Sequence, residues 1–418
     1  MEAISSKDRN ILRELAKKQQ ELANTPKMAE LRTDWELHGA YTTSSRPMVV
    51  IQAGGFANEI LSPLMECETE QARVIEREMR LHTSPSVMFN DDSIIYDYMP
   101  VYTHRRFTAF GIEPKIKRAD SDKGSKGLGY QYIAVIQDLE KDFNILGKSV
   151  YAIDRESTKK DIELKNDLLG DILPVRLSGI FVHSSLTQHI VHIMGMENMF
   201  TSMMDYPDLF NKMMSMLTDD YIAFYGLLDS ENVLLPTVDE CPLPQGSYSY
   251  NSELPRGGGG HIKTTDIWGY MDSQETSGVS PEMFMEYIAP HYKRIINRFG
   301  LLSYGCCEAV NPIWDCFLSG LANLRKVSIS SWADEEYMGE RMRHKKMVYM
   351  RKPSPNLLSV APELDEDAVT GHINKTISAA RGCHLEIIQR DVYRIHHNIK
   401  KVKRYVELIK KCCEKHKL

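Results

Sequence analysis

Short apolar runs alternate with longer amphipathic stretches along most of the chain. The runs lie at 47–55, 93–98, 173–177, 301–304, 327–331, 347–350 and 385–388. Helical patterns at 197–229 and 280–299 lie between them, and the second opens with Ser280 and Pro281, a helix cap and a favoured first helical residue. This alternation is typical of parallel βαβ units. About eight such units predict an α/β fold, a closed (β/α)₈ TIM barrel; an open doubly wound sheet is the alternative.

The first 45 residues are predicted to form a separate helical arm. A helix is expected over 5–38, because Ser5 or Ser6 precedes charged residues and apolar residues then recur every three or four positions. The barrel is predicted to occupy 46–418, starting where the β-branched run after Arg46 ends in a glycine turn.

Charge and composition exclude several classes of protein. The chain has 51 Lys and Arg against 57 Asp and Glu, a net charge of −6, so we expect no nucleic-acid partner. No apolar run reaches the roughly 18 to 20 residues that cross a bilayer, and no signal peptide is seen, so we expect no membrane partner and a cytoplasmic location. The 8 cysteines are too sparse for a disulfide framework, which favours reduced thiols, some of them on a metal.

The densest chemical signal is the segment 303–308, which reads SYGCCE. In a barrel it would place Cys306, Cys307 and Glu308 at the carboxyl end of a strand, where such enzymes keep their active sites. Thiolates and a carboxylate are ligands that zinc accepts. The alternative is a buried cysteine pair that packs as two small apolar side chains.

Further ligands must come from other segments. The segment 381–386 reads RGCHLE, and we include Cys383 and Glu386 with the three residues above as predicted metal ligands. On an extended strand, His384 and Glu386 point to one face and Cys383 to the other. His261, after a glycine-rich loop, is interpreted either as an exposed loop residue or as a further metal ligand.

Two aromatic and acidic segments also resemble site residues. Asp97 and Tyr98 are expected to end one strand, and Trp332 and Asp334 another. At strand ends they would position a substrate or transfer a proton; hydrogen bonding at the barrel rim is the alternative. The predicted catalytic residues are Asp97, Tyr98, Tyr304 and Asp334.

The order of several motifs resembles the uroporphyrinogen decarboxylase superfamily over about residues 46–395. The motifs are PVRLSG at 174–179, YPDL at 206–209, GYMDSQET at 269–276, SPEMF at 280–284, GCCE at 305–308, VSISSWAD at 327–334 and KPSP at 352–355. The resemblance implies a (β/α)₈ barrel. It also implies one of two activities, porphyrinogen decarboxylation or methyl transfer by zinc enzymes such as the methylcobalamin:coenzyme M methyltransferases. Gln52, Gln274, Trp332 and His261 are the predicted substrate-binding residues.

Departures from the family pattern favour methyl transfer. The decarboxylases grip carboxylates with an Arg-Gln-Ala-Gly-Arg type of segment, whereas 51–56 reads IQAGGF and lacks both arginines. The methyltransferase branch has a His-x-Cys pair, to which Gly305 and Cys307 correspond, so the cysteine is retained and the histidine is not. Zinc would deprotonate a bound thiol and make it a methyl acceptor.

The sequence therefore predicts a zinc-dependent methyltransferase. It would move a methyl group between a corrinoid or small methylated substrate and a thiol or corrinoid acceptor. The expected partners are a small-molecule substrate, a corrinoid (cobalamin) that is free or on a partner protein, and a second copy of the chain in a homodimer. The alternatives are a decarboxylase or lyase acting on a small acid or a porphyrinogen-like compound, and a non-catalytic binding barrel.

Overall fold

The structure is a computed structural model that describes residues 4–118, 130–257 and 260–416. Its strands are β1 Met48–Ile51, β2 Met99–Val101, β3 His104–Thr108, β4 Lys115–Arg118, β5 Tyr130–Ile133, β6 Val150–Asp154, β7 Val175–Leu177, β8 Val182–Ser184, β9 Trp268–Met271, β10 Leu301–Tyr304, β11 Leu324–Ile329, β12 Val348–Arg351 and β13 His384–Gln389. Its α-helices are α1 Ser6–Ala23, α2 Pro26–Gly39, α3 Ala57–Leu61, α4 Glu70–Ser84, α5 Leu139–Asp142, α6 Arg155–Leu169, α7 Leu186–Asp205, α8 Pro207–Ser230, α9 Pro281–Tyr287, α10 Ala289–Ile296, α11 Glu335–Met342, α12 Asn356–Ser359, α13 Glu366–Ala379 and α14 Ile399–His416. No helix in these segments is both long and apolar enough to span a bilayer.

Seven parallel strands form the main sheet, in the order β1-β13-β12-β11-β10-β9-β8. The strands β2 and β7 pair separately and in parallel, and β3-β6 and β4-β5 are antiparallel pairs. The fold is therefore mixed α/β, as predicted. The predicted barrel closure is not shown: in the described residues, the end strands β1 and β8 are not hydrogen-bonded to each other.

Two buried aspartates take the place of a neighbouring strand at the free edge of β1. Val49 and Ile51 donate their backbone N–H groups to the carboxylates of Asp92, at 2.8 Å, and Asp91, at 2.9 Å. A buried backbone donor needs a partner, and these side chains provide it. The predicted strand at 93–98 is therefore wrong; the chain there is irregular, and β2 begins only at Met99.

The strands of the main sheet are buried on both faces, which is typical of parallel sheets. In β1, Val49 and Ile51 belong to the large core cluster that includes the helices, whereas Met48 and Val50 face an inner cluster with Trp35 of α2 and Tyr248. The alternation follows from the two-residue period of a strand. The helices before β1 therefore pack on the sheet rather than extend from it.

Two predicted helices are each interrupted at a proline. The predicted helix at 5–38 is two helices. The Thr25 side chain accepts from the Met28 N–H and caps α2, which begins at Pro26. The predicted helix at 197–229 is likewise divided between α7 and α8, where Pro207 opens the second helix. Proline lacks the N–H that a continuous helix would use, and it favours the first helical turn.

The packing of α11 on α13 gives a stability prediction. A Cβ on Gly339 would lie 1.9 Å from the backbone oxygen of Ala379, whereas a Cβ on Gly371 would meet no atom within 4 Å. Gly339→Ala is expected to lower the free energy of unfolding by about 1–3 kcal/mol through overpacking. The matched control Gly371→Ala, also in a helix, should raise it by about 0.5–1 kcal/mol. Urea denaturation of both variants measures the difference, and equal effects would contradict the close helix contact.

Candidate functional site

The carboxyl ends of the parallel strands bring several reactive side chains to one edge of the sheet. Asp272 directly follows β9, Cys306 and Cys307 follow β10, and Arg390 and Asp391 follow β13. Parallel α/β folds place their ligands at this edge because all the connecting loops meet there. We call this edge the mouth.

A pair of thiols lies at the centre of the mouth. The Sγ atoms of Cys306 and Cys307 are 3.6 Å apart. Arg390 Nη1 lies 3.6 Å from Cys306 Sγ, and Cys307 Sγ lies 3.6 Å from Asp391 Oδ2. Gly305 turns the chain out of β10 with a φ of 97°, a conformation that favours glycine. Cys306 is buried and Cys307 is exposed.

These contacts make the two thiols unlike each other. The hydrogen bond from the Cys307 thiol and the charge of Arg390 lower the pKa of Cys306 to about 5, against the effect of burial. The same hydrogen bond, together with burial, raises the pKa of Cys307. Cys306 is therefore a thiolate at neutral pH and Cys307 its thiol donor. A thiolate, not a thiol, is the nucleophilic form of cysteine.

A hydrogen-bonded chain lies in the sheet beneath this thiolate. Gln245 Nε2 donates to the Tyr270 hydroxyl at 2.6 Å, and this hydroxyl donates to Asp272 Oδ2 at 2.8 Å. Hydrogen bonds from Gln245 and Tyr270 also contribute to the low pKa of Cys306. Burial, together with the negative charges of Glu308 and Cys306, raises the pKa of Asp272 well above its usual value. The mouth therefore joins a nucleophile to a buried carboxyl group whose ionisation is disfavoured.

A groove of about 650 Å³ opens beside the thiol pair. It is lined by Cys307, Gln274 and Met196, and by the rings of Tyr130 and Trp332. The Trp332 residue is 79% exposed and Tyr130 is 53% exposed. Exposed aromatic rings next to a nucleophile offer a surface on which a flat or apolar compound can bind.

The predicted metal ligands do not surround a common point. Among the described residues, no group of three or more His, Cys, Asp or Glu side chains is placed to hold a metal ion. Both oxygens of Glu308 accept backbone N–H groups, from Ser273 and Cys306, at 3.0 and 2.7 Å. Glu386 lies within β13 and pairs with Lys326 at 2.8 Å. The prediction of five metal ligands is therefore corrected. Of the five, only Cys306 and Cys307 lie together at the mouth with side-chain atoms that have not been taken up by such partners.

Cys383 lies at the other end of the sheet. It precedes β13, and its thiol donates to the Gly339 carbonyl at 3.6 Å. The six residues of β13 lie between Cys383 and Arg390, a span of roughly 20 Å. Cys383 and Cys306 cannot bind the same metal ion without a change of fold.

Three of the four predicted catalytic residues lie in two separate places. Asp97 and Tyr98 precede β2 and line a separate cavity of about 560 Å³. The neighbouring Val238 in that cavity packs on the first residues of β9 and β10, so the cavity lies at the amino end of the sheet. Asp334 caps α11 by accepting from Tyr337 N at 3.0 Å. The predicted strand end at Asp97 and Tyr98 is therefore wrong, whereas Asp334 follows β11 as predicted. The catalytic roles of the three residues stay predictions.

Tyr304, the fourth, is fully buried at the end of β10, and its hydroxyl lies 2.7 Å from Ser273 Oγ. Its position beneath the mouth supports the loop that carries Asp272, Ser273 and Gln274. Nothing in its contacts places it next to the thiols.

The predicted substrate-binding residues divide between the two ends of the sheet. Gln274 and Trp332 line the groove beside Cys307. Gln52 follows β1, and its backbone N–H donates to Gln389 O at 2.9 Å. His261 contacts the Asp229 carbonyl in the last turn of α8, before β9 begins, and lies away from the mouth. The interpretation of His261 as an exposed loop residue agrees with this contact.

Sequence reasoning missed Gln245, Tyr270, Asp272, Arg390 and Asp391. A signal existed for three of them, since Asp272, Arg390 and Asp391 directly follow strands and parallel strands share a carboxyl edge. Gln245 had no such signal. It lies in an irregular segment that covers the inner face of the sheet, where Gly246 meets Val50 and Ile388.

No protein-family model and no curated protein matches this sequence. Among solved structures, the chain is similar to a methyltransferase from Methanosarcina mazei, with a TM-score of 0.50 and 12% sequence identity. The match covers 92% of this chain and 98% of that one. At this identity the likeness shows a shared fold over most of the chain, and the resemblance to the uroporphyrinogen decarboxylase superfamily stays a prediction.

Proposed function

We propose that this protein is a methyltransferase in which the Cys306 thiolate accepts the methyl group. The observation that carries the proposal is the position of Cys306 Sγ, 3.6 Å from the Arg390 guanidinium and 3.6 Å from the Cys307 thiol. A cation and an S–H donor together keep this sulfur in its nucleophilic form. The likeness in fold to a methyltransferase supports the same class of reaction.

The methyl transfer itself needs only a nucleophile held in line with the methyl carbon. The sulfur electron pair forms the new S–C bond, and the electrons of the broken bond stay with the leaving group. Arg390 holds the thiolate in place and is also paired with Asp391 at 3.1 Å, so it keeps one of its two anionic partners when the neutral thioether forms. The substrate would enter over Cys307 and the groove.

A corrinoid remains the proposed second substrate, free or on a partner protein. The groove fits the edge of a flat macrocycle, because Trp332 and Tyr130 present exposed rings there, but about 650 Å³ is too small to enclose one. When bound, a corrinoid supplies the cobalt chemistry that carries a methyl group. The proposed role of this chain is to supply the Cys306 thiolate as the nucleophile.

We also propose that β2 and β7 complete the ring of strands as a barrel without continuous hydrogen bonding. The pair belongs between β8 and β1, because β7 leads into β8 after residues 178–181 and β2 follows the aspartates that contact β1. The mouth would then be enclosed on all sides.

Zinc has no part in this proposal, because the described residues do not form the three-ligand site that a catalytic zinc needs. We therefore assign activation of the thiol to Arg390 and Cys307. Elemental analysis tests this: stoichiometric zinc that is lost in Cys306→Ser would contradict it.

Mass spectrometry of the protein after one turnover tests the proposed function. Incubation with isotopically labelled methylcobalamin or methyl iodide is expected to add one methyl group to the peptide that carries Cys306. Cys306→Ser should abolish this labelling. The matched control Cys316→Ser, which removes an exposed thiol elsewhere, should retain it. Labelling of other thiols alone would contradict the assignment of the nucleophile.

A further inference from the structure

The two sulfurs at the mouth lie side by side, with Cys306 Sγ and Cys307 Sγ 3.6 Å apart. Adjacency in sequence alone does not bring side chains together, because successive side chains of a strand point to opposite faces and consecutive helical residues diverge. Gly305, with a φ of 97°, ends the strand before the pair, and residues 306–308 form a bend. This irregular backbone brings the two sulfurs together.

The surrounding structure holds each sulfur separately. Arg390 Nη1 donates to Cys306 Sγ, and Cys307 Sγ donates to Asp391 Oδ2, both at 3.6 Å. The backbone is held as well, since the Cys306 N–H donates to Glu308 Oε2 at 2.7 Å. A ligand that binds both sulfurs therefore has little side-chain freedom to remove, which favours binding.

The spacing of the two sulfurs selects the geometry of the atom that they can hold. With bonds to sulfur of about 2.3 Å, an atom whose bonds lie near right angles holds two sulfurs roughly 3.3 Å apart, and a tetrahedral atom about 3.8 Å apart. A linear ion holds them about 4.6 Å apart. The observed 3.6 Å fits a bent arrangement and does not fit a linear one.

The number of ligands narrows the choice further. A catalytic zinc ion needs three protein ligands, and inorganic arsenite likewise takes three thiolates. Over the described ranges, no three His, Cys, Asp or Glu side chains are placed to hold one ion. A trivalent arsenic atom that already carries one organic group needs two sulfurs and bends them near a right angle. This is the chemistry that two adjacent thiols at this distance match.

An organic group on the arsenic would have a place to bind. Cys307 lines the groove of about 650 Å³, together with Trp332, Tyr130 and Met196. The two aromatic residues are 79% and 53% exposed. A flat aromatic ring packs well on such side chains, and the methionine sulfur also contacts rings favourably.

We propose that Cys306 and Cys307 form a chelating site for trivalent arsenicals that carry one aromatic group, with that group in the groove beside Trp332. The inference goes beyond the proposed function, because it needs both sulfurs and no methyl donor. Methyl transfer needs Cys306 alone. An occupied site blocks methyl transfer, since the sulfur that accepts the methyl group is then bonded to arsenic.

The binding step balances without an oxidant or a reductant. The hydrated arsenical carries two hydroxyl groups on arsenic, and each sulfur replaces one of them. The exposed Cys307 reacts first, and its thiol proton leaves with the first hydroxide as water. The Cys306 thiolate then displaces the second hydroxide, which takes a proton from solvent. Two As–O bonds break, two As–S bonds form, and arsenic stays trivalent.

Phenylarsine oxide and the full-length chain provide the test. We expect intact mass spectrometry to show one arsenical per chain that survives a large excess of mercaptoethanol, a monothiol. Dimercaptopropanol, which itself chelates arsenic, should remove it. In the wild-type chain the bound arsenical should protect Cys306 and Cys307 from iodoacetamide and leave the exposed Cys316 reactive.

Variants separate chelation from attachment to one thiol. Cys307→Ser should weaken retention against mercaptoethanol by about 100- to 10,000-fold, the range that linking two binding events commonly adds. Cys316→Ser removes a single exposed thiol, and Cys412→Ser changes the other adjacent pair, in α14. Both controls should bind as wild type does. Thermal denaturation checks that each variant is folded.

Trp332→Ala tests the position of the organic group. It should weaken binding of phenylarsine oxide by about 2- to 10-fold, a typical effect of one aromatic contact. Binding of methylarsonous acid, which has no ring, should not change. Equal losses for the two compounds would overturn the placement of the ring in the groove.

Two results would overturn the chelating site. One is an adduct of the wild-type chain that mercaptoethanol removes as readily as it does from Cys307→Ser. The other is iodoacetamide reacting with Cys306 and Cys307 while the arsenical stays bound elsewhere. Neither result bears on the proposed function, which depends on methylation of Cys306 and is measured without arsenic.

Discussion

Replacing Arg390 by glutamine is expected to raise the pKa of Cys306 from about 5 by roughly one to three pH units. The guanidinium is the charged group of the mouth that lies 3.6 Å from this sulfur, and an opposite charge at this distance stabilises the anion. At a pH near 6, the thiolate fraction and the rate of alkylation should therefore fall by about 2-fold for a rise of one unit and by about 10-fold for a rise of two.

The pH dependence of alkylation by iodoacetamide measures this change, with the modified peptide identified by mass spectrometry. Wild type should react with a midpoint near 5, far below that of an ordinary thiol. Arg394→Gln removes an exposed guanidinium from the same loop and should leave the midpoint unchanged. A midpoint that is the same in Arg390→Gln and wild type would show that Arg390 does not activate the thiol.

Lys326→Met is expected to lower the free energy of unfolding by about 3–5 kcal/mol. Lys326 Nζ lies 2.8 Å from Glu386 Oε1 and also donates to Ser247 and Tyr248, at 2.6 and 2.9 Å. Both charged side chains are at most 2% exposed. Removing the lysine leaves a buried carboxylate whose nearest remaining partner is His38, 3.4 Å away.

The double variant Lys326→Met, Glu386→Leu is the control, because a buried ion pair that is replaced on both sides by apolar residues often costs little. It should recover most of the loss in urea denaturation. A single variant as stable as wild type would contradict the role of the pair.

Acid provides a second measurement on the same pair. Burial opposes ionisation of Glu386, but Lys326 and His38 hold its pKa at about 2. This carboxylate therefore stabilises the fold fully above the unfolded pKa of about 4.3, and the contribution is lost as the pH falls toward 2. In Lys326→Met the pKa of Glu386 should rise, so the stability difference from wild type should shrink as the pH is lowered.

The sequence located the thiol pair correctly because a local rule applies to it. A residue that directly follows an apolar run in a parallel α/β chain lies at the carboxyl edge of the sheet. The rule holds for residues whose strands could be predicted from the sequence or whose motifs lie next to strands. These are Cys306, Cys307, Gln274 and Trp332. Asp97 and Tyr98 failed because the run before them is irregular, with Asp91 and Asp92 bonded to β1 in place of a strand.

The predicted ligand set failed for a different reason. Periodicity shows which residues share a face of one strand. It does not show at which end of the sheet a residue lies, or which polar group is already bonded to its side chain. Glu308 is bound by two backbone N–H groups and Glu386 by a lysine. Ser273 and Lys326 lie far along the chain from the glutamates that they contact, so the sequence pattern does not reveal these partners.

The sequence by itself determined the alternation of strands and helices, the parallel α/β class and the position of the thiols after β10, because these depend on local periodicity and on residues adjacent along the chain. Only the tertiary structure decided what surrounds the sulfur. Arg390 lies 84 residues from Cys306 along the chain, Tyr270 lies in β9, and Asp272 and Gln245 come from other loops. The low pKa of a thiol depends on charges and hydrogen bonds a few ångströms away in space, which sequence distance does not record.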